Sequence, residues 1–224
     1  MNSFNKNSEV TVLFVGNSLT GSGRLPEHLS SIAQKQYRTI HLHQKINEGY
    51  HLAQHAQELS GERYAAIREQ AEVVILQEYG GAFCAETLPL IAQIRALFRP
   101  DVQICSLITE LDYPKELLAL DNHRYLYGGY AHHLMVDGGI LTYEQLHLEG
   151  DTQPNELYGY LVACVIFGTL FLADCENLDD EFLDPAVIPG ESERQKRETM
   201  RRIKRAANMA CEFSREHAMM LRIE

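Results

Sequence analysis

The chain has 224 residues, 45% of them hydrophobic, which is enough to bury the core of one α/β domain. Its formal net charge of -11 argues against nucleic acid or an anionic membrane surface as a partner. Residues 1–9 lack the basic and apolar regions of a signal peptide, and no segment is apolar enough for a membrane span. The sequence therefore predicts a single domain over residues 1–224, in the cytoplasm, with a small neutral or modestly charged partner molecule.

The cysteines bear on the redox compartment. There are five of them, widely spaced and mostly in apolar surroundings: Cys84, Cys105, Cys164, Cys175 and Cys211. No pair has the spacing of a zinc or redox motif. We therefore expect buried free thiols in a reducing, cytoplasmic compartment, and neither a metal nor a cofactor.

The first predicted element is a strand from Val10 to Val15, a near-continuous apolar run that is typical of a strand buried on both faces. The run stops at Gly16, Asn17 and Ser18. Glycine permits a tight turn, so Ser18 would lie at the carboxyl edge of the sheet, where open α/β sheets bind ligands. A nucleophilic serine suits this place, although the same residues also fit an ordinary turn with helix caps.

Helices and further strands are predicted to alternate after this turn. Leu25 begins an amphipathic helix with a proline in its first turn. Residues 39–46 alternate polar and apolar side chains, which is typical of an edge strand. His41 and His43 share one face of that strand. This arrangement fits a solvated face, and with a third ligand it would also fit a metal site. A helix then runs to about Ser60.

Three more strands are predicted downstream: Val73 to Leu76, residues 102–108 and, as a fifth strand or an extended connection, residues 134–141. A long helical stretch from Pro114 to about His133 separates the last two. Other helices are predicted over residues 64–70, 88–98 and 191–221. Buried strands that alternate with amphipathic helices predict a three-layer α/β/α sandwich with a mainly parallel sheet.

Two blocks of the sequence resemble the GDSL or SGNH hydrolases. Phe14 to Thr20 reads Phe-Val-Gly-Asn-Ser-Leu-Thr and is similar to the family's first block, a strand followed by Gly-Asp-Ser-Leu or Gly-Asn-Ser-Leu. Residues 145–171 are similar to its last block, with Pro154 and then Gly159 at the expected places. The resemblance implies the flavodoxin-like SGNH hydrolase fold with a five-stranded sheet, and a serine ester hydrolase with Ser18 as the nucleophile.

The resemblance also implies an oxyanion hole and a class of substrate. The N–H of Ser18, the N–H of Gly49 and the side-chain amide of Gln77 would stabilise the oxyanion. The family carries Gly-x-Asn-Asp near Gln77, and this sequence departs from that motif. Gly49 also fits an ordinary loop glycine, and Gln77 a structural amide. The implied substrate is a small acyl ester or an acetylated carbohydrate.

The family's catalytic histidine is missing. If Pro154 is aligned with the family's proline, Gln153 takes the place of the histidine. If Asp151 is aligned with the family's aspartate, Pro154 takes the place of the histidine. A glutamine amide cannot usefully accept the proton of a serine hydroxyl. The base would then be His147 or His133, brought in by a different loop path, or Asp151 acting as a weak base.

The sequence leaves three functions open. The first is a serine ester hydrolase that acts on a small-molecule ester or carbohydrate ester. The second is a pseudoenzyme that keeps the pocket and the oxyanion donors but only binds a small ligand, since the base is absent. The third is a metal-dependent hydrolase that uses some of the ten histidines.

Overall fold

The computed structural model describes residues 9–81, 83–110 and 123–220. The strands of this part of the chain are β1 (Val10–Gly16), β2 (Ile40–Ile46), β3 (Val73–Leu76), β4 (Gln103–Leu107) and β5 (His123–Leu126). Its helices are α1 (Ser18–Gly21), α2 (Leu25–Lys35), α3 (Leu52–Leu59), α4 (Ala65–Gln70), α5 (Leu88–Arg95), α6 (Gly128–Val136), α7 (Glu156–Phe171) and α8 (Glu193–Met220). Short 3-10 turns lie between several of these elements.

Helices flank the five-stranded sheet and form a three-layer α/β/α sandwich, which confirms the fold predicted from the sequence. The strand order is β2-β1-β3-β4-β5, and every pair is parallel. This is the order of doubly wound, flavodoxin-like sheets, in which ligands bind at the carboxyl ends of the strands. The topology therefore directs attention to the turns that follow β1, β2 and β3.

One region differs from the sequence-based prediction. The helix predicted to reach His133 covers β5, and the strand predicted over 134–141 is the end of α6 followed by a turn. β5 has only four residues, too few for a two-residue alternation to stand out in a segment rich in Tyr and Leu. Long-range pairing with β4 fixes its place, with Ile104 opposite His123. Residues 114–122 of the predicted helix lie outside the described residues.

β1 lies inside the sheet, between β2 and β3. Residues 12–15 are at most 2% exposed, because helices cover both faces of the strand, and this explains the apolar run. β2 is an edge strand on which His41, His43 and Gln44 are exposed and Lys45 is buried. The carboxyl end of β1 is therefore flanked on both sides by the ends of parallel strands.

Helix α7 is buried along nearly its whole length, from Leu157 to Phe171, and packs on α2, α6 and α8. Its first turn crosses the loop before α2 so closely that a Cβ on Gly159 would lie 1.7 Å from the carbonyl oxygen of Gly23. This crossing fixes the segment that enters α7 against the residues that follow β1. Although α7 is strongly apolar, no helix within the described ranges is long and apolar enough to cross a membrane.

The cysteines are free thiols, of which four are buried and Cys84 is exposed. The expectation of buried thiols is therefore right for four of them and wrong for Cys84. The Sγ atoms of Cys175 and Cys211 lie 3.7 Å apart. The thiol of Cys175 also donates to the carbonyl oxygen of Cys164, and that of Cys211 to the carbonyl oxygen of Val165. These contacts pack α8 and the 3-10 turn that follows α7 onto α7.

Candidate functional site

The turn after β1 places Ser18 at the carboxyl edge of the sheet, where it is the first residue of α1. Asn17 caps this short helix, since its Oδ1 accepts a hydrogen bond from the N–H of Leu19 at 3.1 Å. A Cβ on Gly16 would lie 2.7 Å from Oγ1 of Thr20, so glycine leaves the room that the Thr20 side chain needs to pack against the end of β1. These contacts hold Ser18 in a fixed position.

Gln77 lies beneath this turn and is 1% exposed. Its Oε1 accepts hydrogen bonds from the N–H of Asn17 and from the hydroxyl of Thr20, both at 3.1 Å. Its Nε2 donates to the carbonyl oxygen of Glu78. The amide therefore supports the Ser18 turn from the interior. The oxyanion role predicted for Gln77 stays a prediction, and it requires this side chain to turn out of the position seen here.

Gln153 is in direct contact with Ser18. Its Nε2 donates to the Ser18 Oγ at 2.9 Å, and its Oε1 accepts from the Ser22 hydroxyl at 2.9 Å. The glutamine thus occupies the place next to the serine that the alignment on Pro154 gives to histidine. Because the Ser18 oxygen accepts this bond, the Ser18 hydroxyl proton is free to be donated to another group.

Asp151 acts on the backbone of the same loop. Its Oδ1 accepts hydrogen bonds from the N–H of Thr152 at 2.6 Å and from the N–H of Gln153 at 3.1 Å. This carboxylate therefore shapes the loop that presents Gln153. His133, the other residue suggested as a distant base, contacts the carboxylate of Asp137, the residue that follows α6.

His147 belongs to the wall of a cavity. It is 7% exposed, it bridges to Pro154 across the loop, and its ring stacks on that of Tyr143 with the centroids 3.6 Å apart. Its Nδ1 lies 2.8 Å from the carbonyl oxygen of Tyr143, and because a carbonyl only accepts, that nitrogen carries the proton. Burial lowers the pKa of His147, so its imidazole is neutral at pH 7.

The cavity lies beside the Ser18 turn and has a volume of about 420 Å³. Its walls combine apolar and polar side chains, among them Leu19, Leu107, Val162, Thr109, His132 and His147. The Nε2 of His132 and the Oγ1 of Thr109 are buried with no hydrogen-bond partner among the described residues. Burial, with His147 nearby, lowers the pKa of His132 to about 4. The cavity therefore suits a neutral group that carries hydrogen-bonding atoms.

Gly49 lies in the turn after β2, at the same edge of the sheet. It is exposed and has a φ of 70°, a conformation that favours glycine. The side-chain amide of Asn17 donates to the carbonyl oxygen of Tyr50 at 3.2 Å, which ties this turn to the one that holds Ser18. The structure thus brings the turns of Ser18 and Gly49 together.

Two further residues lie at this edge of the sheet, a histidine and a glutamate that were not predicted from the sequence. Glu78 follows β3 and is 4% exposed, and its Oε1 accepts from Nδ1 of His51 at 3.2 Å. The same oxygen accepts from the N–H of Leu52 at 3.3 Å and from the N–H of Tyr79 at 2.6 Å. The ring of His51 lies 4.6 Å from that of Tyr79. The available signal was a histidine soon after the second strand and a carboxylate just after the third.

His41 and His43 lie away from this site. They line a cleft near the amino-terminal ends of the strands, and His41 lies 3.1 Å from a carboxylate oxygen of Glu9. Within residues 9–81, 83–110 and 123–220, no three His, Cys, Asp or Glu side chains are grouped so that they could hold a metal ion.

The sequence matches no protein-family model, and no curated protein matches it. Its fold is similar to that of a DUF4886 family protein from Bacteroides uniformis, with a TM-score of 0.63 and 13% identity over 91% of this chain and 95% of that one. A lipase from a goat rumen metagenome aligns with a TM-score of 0.48 and 10% identity over 69% of this chain and 94% of that one. The first likeness shows a shared fold, and at these identities neither assigns a reaction.

Proposed function

We propose that this protein is a serine ester hydrolase of the SGNH type, acting on a small acyl ester or an acetylated carbohydrate. The observation that carries the proposal is the position of Ser18. It follows β1, an inner strand of a doubly wound sheet, its oxygen accepts a hydrogen bond from Gln153 at 2.9 Å, and a cavity of about 420 Å³ lies beside it. A nucleophile at a switch point of such a sheet is well placed to meet a bound ligand.

In the proposed reaction the Ser18 oxygen attacks the acyl carbonyl, and water then hydrolyses the acyl-enzyme. The N–H groups of Ser18 and Gly49 are the proposed donors to the oxyanion, a task on which each donor is worth about 3 kcal/mol. Gln77 contributes by fixing the turn. The imidazoles of the cavity wall carry no positive charge to bind an anion, and the Glu110 carboxylate in the same wall repels one, so an uncharged acyl group or an uncharged sugar is favoured over an anionic substrate.

The test is reaction with a fluorophosphonate probe, read by intact mass, together with turnover of a p-nitrophenyl acyl ester. We expect one adduct on the wild-type protein, and its loss together with a fall in turnover of roughly 100-fold or more in Ser18→Ala. Ser60→Ala, which removes an exposed hydroxyl, is the matched control and keeps both. Turnover that is unchanged in Ser18→Ala would rule out the serine mechanism.

The contact between Gln153 and Ser18 supports a second candidate, a pseudoenzyme that binds a small ligand. Glutamine cannot act as a base, and here it takes the place next to the serine that histidine holds in the family. In this case the wild-type protein is unreactive toward the probe, whereas Gln153→His gains labelling of Ser18 or esterase activity. A folded Gln153→His variant that gains neither argues against this candidate.

A further inference from the structure

Three polar side chains follow three neighbouring strands: Ser18 follows β1, His51 follows β2 and Glu78 follows β3. Because β1 lies between β2 and β3, the contact between His51 and Glu78 spans the end of β1, where Ser18 begins α1. We propose that His51 is the general base for Ser18 and that Glu78 orients it, in place of the missing histidine. This inference rests on the proposed hydrolase function.

The surroundings of Glu78 assign the protons of His51. The carboxylate is 4% exposed, and the Nδ1 of His51 lies 3.2 Å from its Oε1. A buried charge needs such partners, and the N–H groups of Leu52 and Tyr79 add two more hydrogen bonds to the same oxygen. Because a carboxylate only accepts, Nδ1 carries the proton, and Nε2 keeps its lone pair.

Two hydrogen bonds bear on how Ser18 and His51 are placed. The amide of Asn17 donates to the carbonyl oxygen of Tyr50 at 3.2 Å, so the residues just before Ser18 and just before His51 are joined. Gln153 donates to the Ser18 oxygen, which leaves the hydroxyl proton for a different acceptor. The side chain of His51 is 58% exposed, and within the described residues its ring hydrogen bond is made through Nδ1.

The other candidate bases are not backed by a buried carboxylate. His147 is 7% exposed and stacked on Tyr143 in the cavity wall, and His133 is paired with Asp137. Asp151 accepts from two backbone N–H groups of its own loop. The histidine backed by a buried carboxylate is therefore the one best prepared to accept a proton and to hold the resulting positive charge.

In the proposed reaction His51 carries a proton in each of two halves. As the Ser18 oxygen bonds to the acyl carbon, its proton passes to Nε2 of His51, and Glu78 stabilises the imidazolium. The ester C–O bond then breaks, and the alcohol leaves with that proton. In the second half a water gives a proton to His51 while its oxygen attacks the acyl carbon. The carboxylic acid departs, and the Ser18 oxygen regains a proton from His51.

The test compares His51→Ala with His43→Ala, the loss of an exposed histidine on β2. We expect His51→Ala to lower kcat on a p-nitrophenyl ester by about 100- to 10,000-fold with little change in KM. Added imidazole is expected to restore part of that rate, because it supplies the missing base. His43→Ala is expected to turn over at the wild-type rate and to show no response to imidazole.

Glu78→Gln tests the positioning role, since the glutamine oxygen can still accept from Leu52 and Tyr79 while the charge is lost. We expect kcat to fall by about 10-fold or more with KM unchanged, in a variant that remains folded by circular dichroism. A purely structural role would instead leave kcat per folded molecule unchanged, and that result would overturn the assignment of Glu78.

The outcomes separate the two proposals. If the wild-type protein neither turns over esters nor gains a fluorophosphonate adduct on Ser18, the hydrolase function and this base assignment both fall. If Ser18 is labelled and turnover is present, but His51→Ala keeps the wild-type kcat, the base assignment alone is overturned. In that case His147 would be the next candidate for the base.

Discussion

At the residue scale, the position of Ser18 depends on hydrogen bonds made by its neighbours. Gln77 connects β3 to the turn after β1 through two bonds to its Oε1, one from the N–H of Asn17 and one from the hydroxyl of Thr20. All three side chains are at most 1% exposed, so water cannot replace a lost partner. The serine is held by a buried polar network, and a fault in that network reaches the site.

Thr20→Val tests this network, because valine keeps the shape of threonine and removes the hydroxyl. We expect the free energy of unfolding, measured by urea denaturation, to fall by about 1 kcal/mol. Ser60→Ala removes an exposed hydroxyl and is expected to change it by less than about 0.5 kcal/mol. A Thr20→Val protein as stable as the wild type would show that this hydrogen bond contributes nothing net.

The positions of some site residues could be predicted from the sequence, and those of others could not. Ser18 was placed correctly at the sheet edge, because an apolar strand and a Gly-Asn-Ser turn are local signals. The direction of the Gln77 amide is set by partners from the distant β1 turn, and no local pattern encodes it. His51 and Glu78 are 27 residues apart, and their contact exists only because the sheet brings the ends of β2 and β3 together.

At the element scale, the crossing of α7 over the loop before α2 fixes the segment that carries Gln153. The two backbones meet at Gly159 and Gly23, where a Cβ on Gly159 would lie 1.7 Å from a carbonyl oxygen. A carbonyl held in place cannot move aside as a flexible side chain would. The helix would therefore have to shift to admit any larger residue.

Gly159→Ala is informative because two effects have opposite signs. In an open helix alanine would stabilise by about 1 kcal/mol over glycine, whereas the clash here is expected to destabilise by about 1–3 kcal/mol. We therefore expect a lower midpoint in thermal unfolding followed by circular dichroism. A midpoint above that of the wild type would mean that α7 can move away from the loop at no cost.

Elements with strong local periodicity were predicted well. The strands β1 and β3 and the amphipathic α2 were placed within a residue or two, because burial on one face or both leaves its pattern in the sequence. β5 was missed since it is four residues long and is defined by hydrogen bonds to β4. Gly128 and Gly129, inside the long helix predicted here, are the first residues of α6.

At the scale of the whole molecule, four histidines make the fold sensitive to acid. Burial lowers the pKa of His28, His55 and His132 to about 4 and that of His123 to about 3. In an unfolded chain these groups take up protons near pH 6.5. Between about pH 6.5 and pH 4 the unfolded state therefore binds more protons, and stability falls as the pH falls.

We expect the free energy of unfolding in urea to be lower at pH 5 than at pH 7. His55→Gln removes one of the four groups, and it should reduce this pH dependence by on the order of 1 kcal/mol. His43→Gln, at an exposed position, is the matched control and should leave the dependence as in the wild type. Equal stability at the two pH values would contradict the burial of neutral imidazoles as a determinant of acid sensitivity.

The four buried thiols can be used to measure local opening of the structure, because a thiol reagent reaches them only when the surrounding elements separate. Burial raises the pKa of Cys105 and Cys164 to about 12, so a colorimetric disulfide reagent reacts with them only while a strand or helix is transiently open. Cys84 is exposed and reacts without opening. Cys175 and Cys211 are also buried, so we expect them to react slowly, at a rate set by how often α8 separates from α7. This opening can be measured on the wild-type chain without an added label.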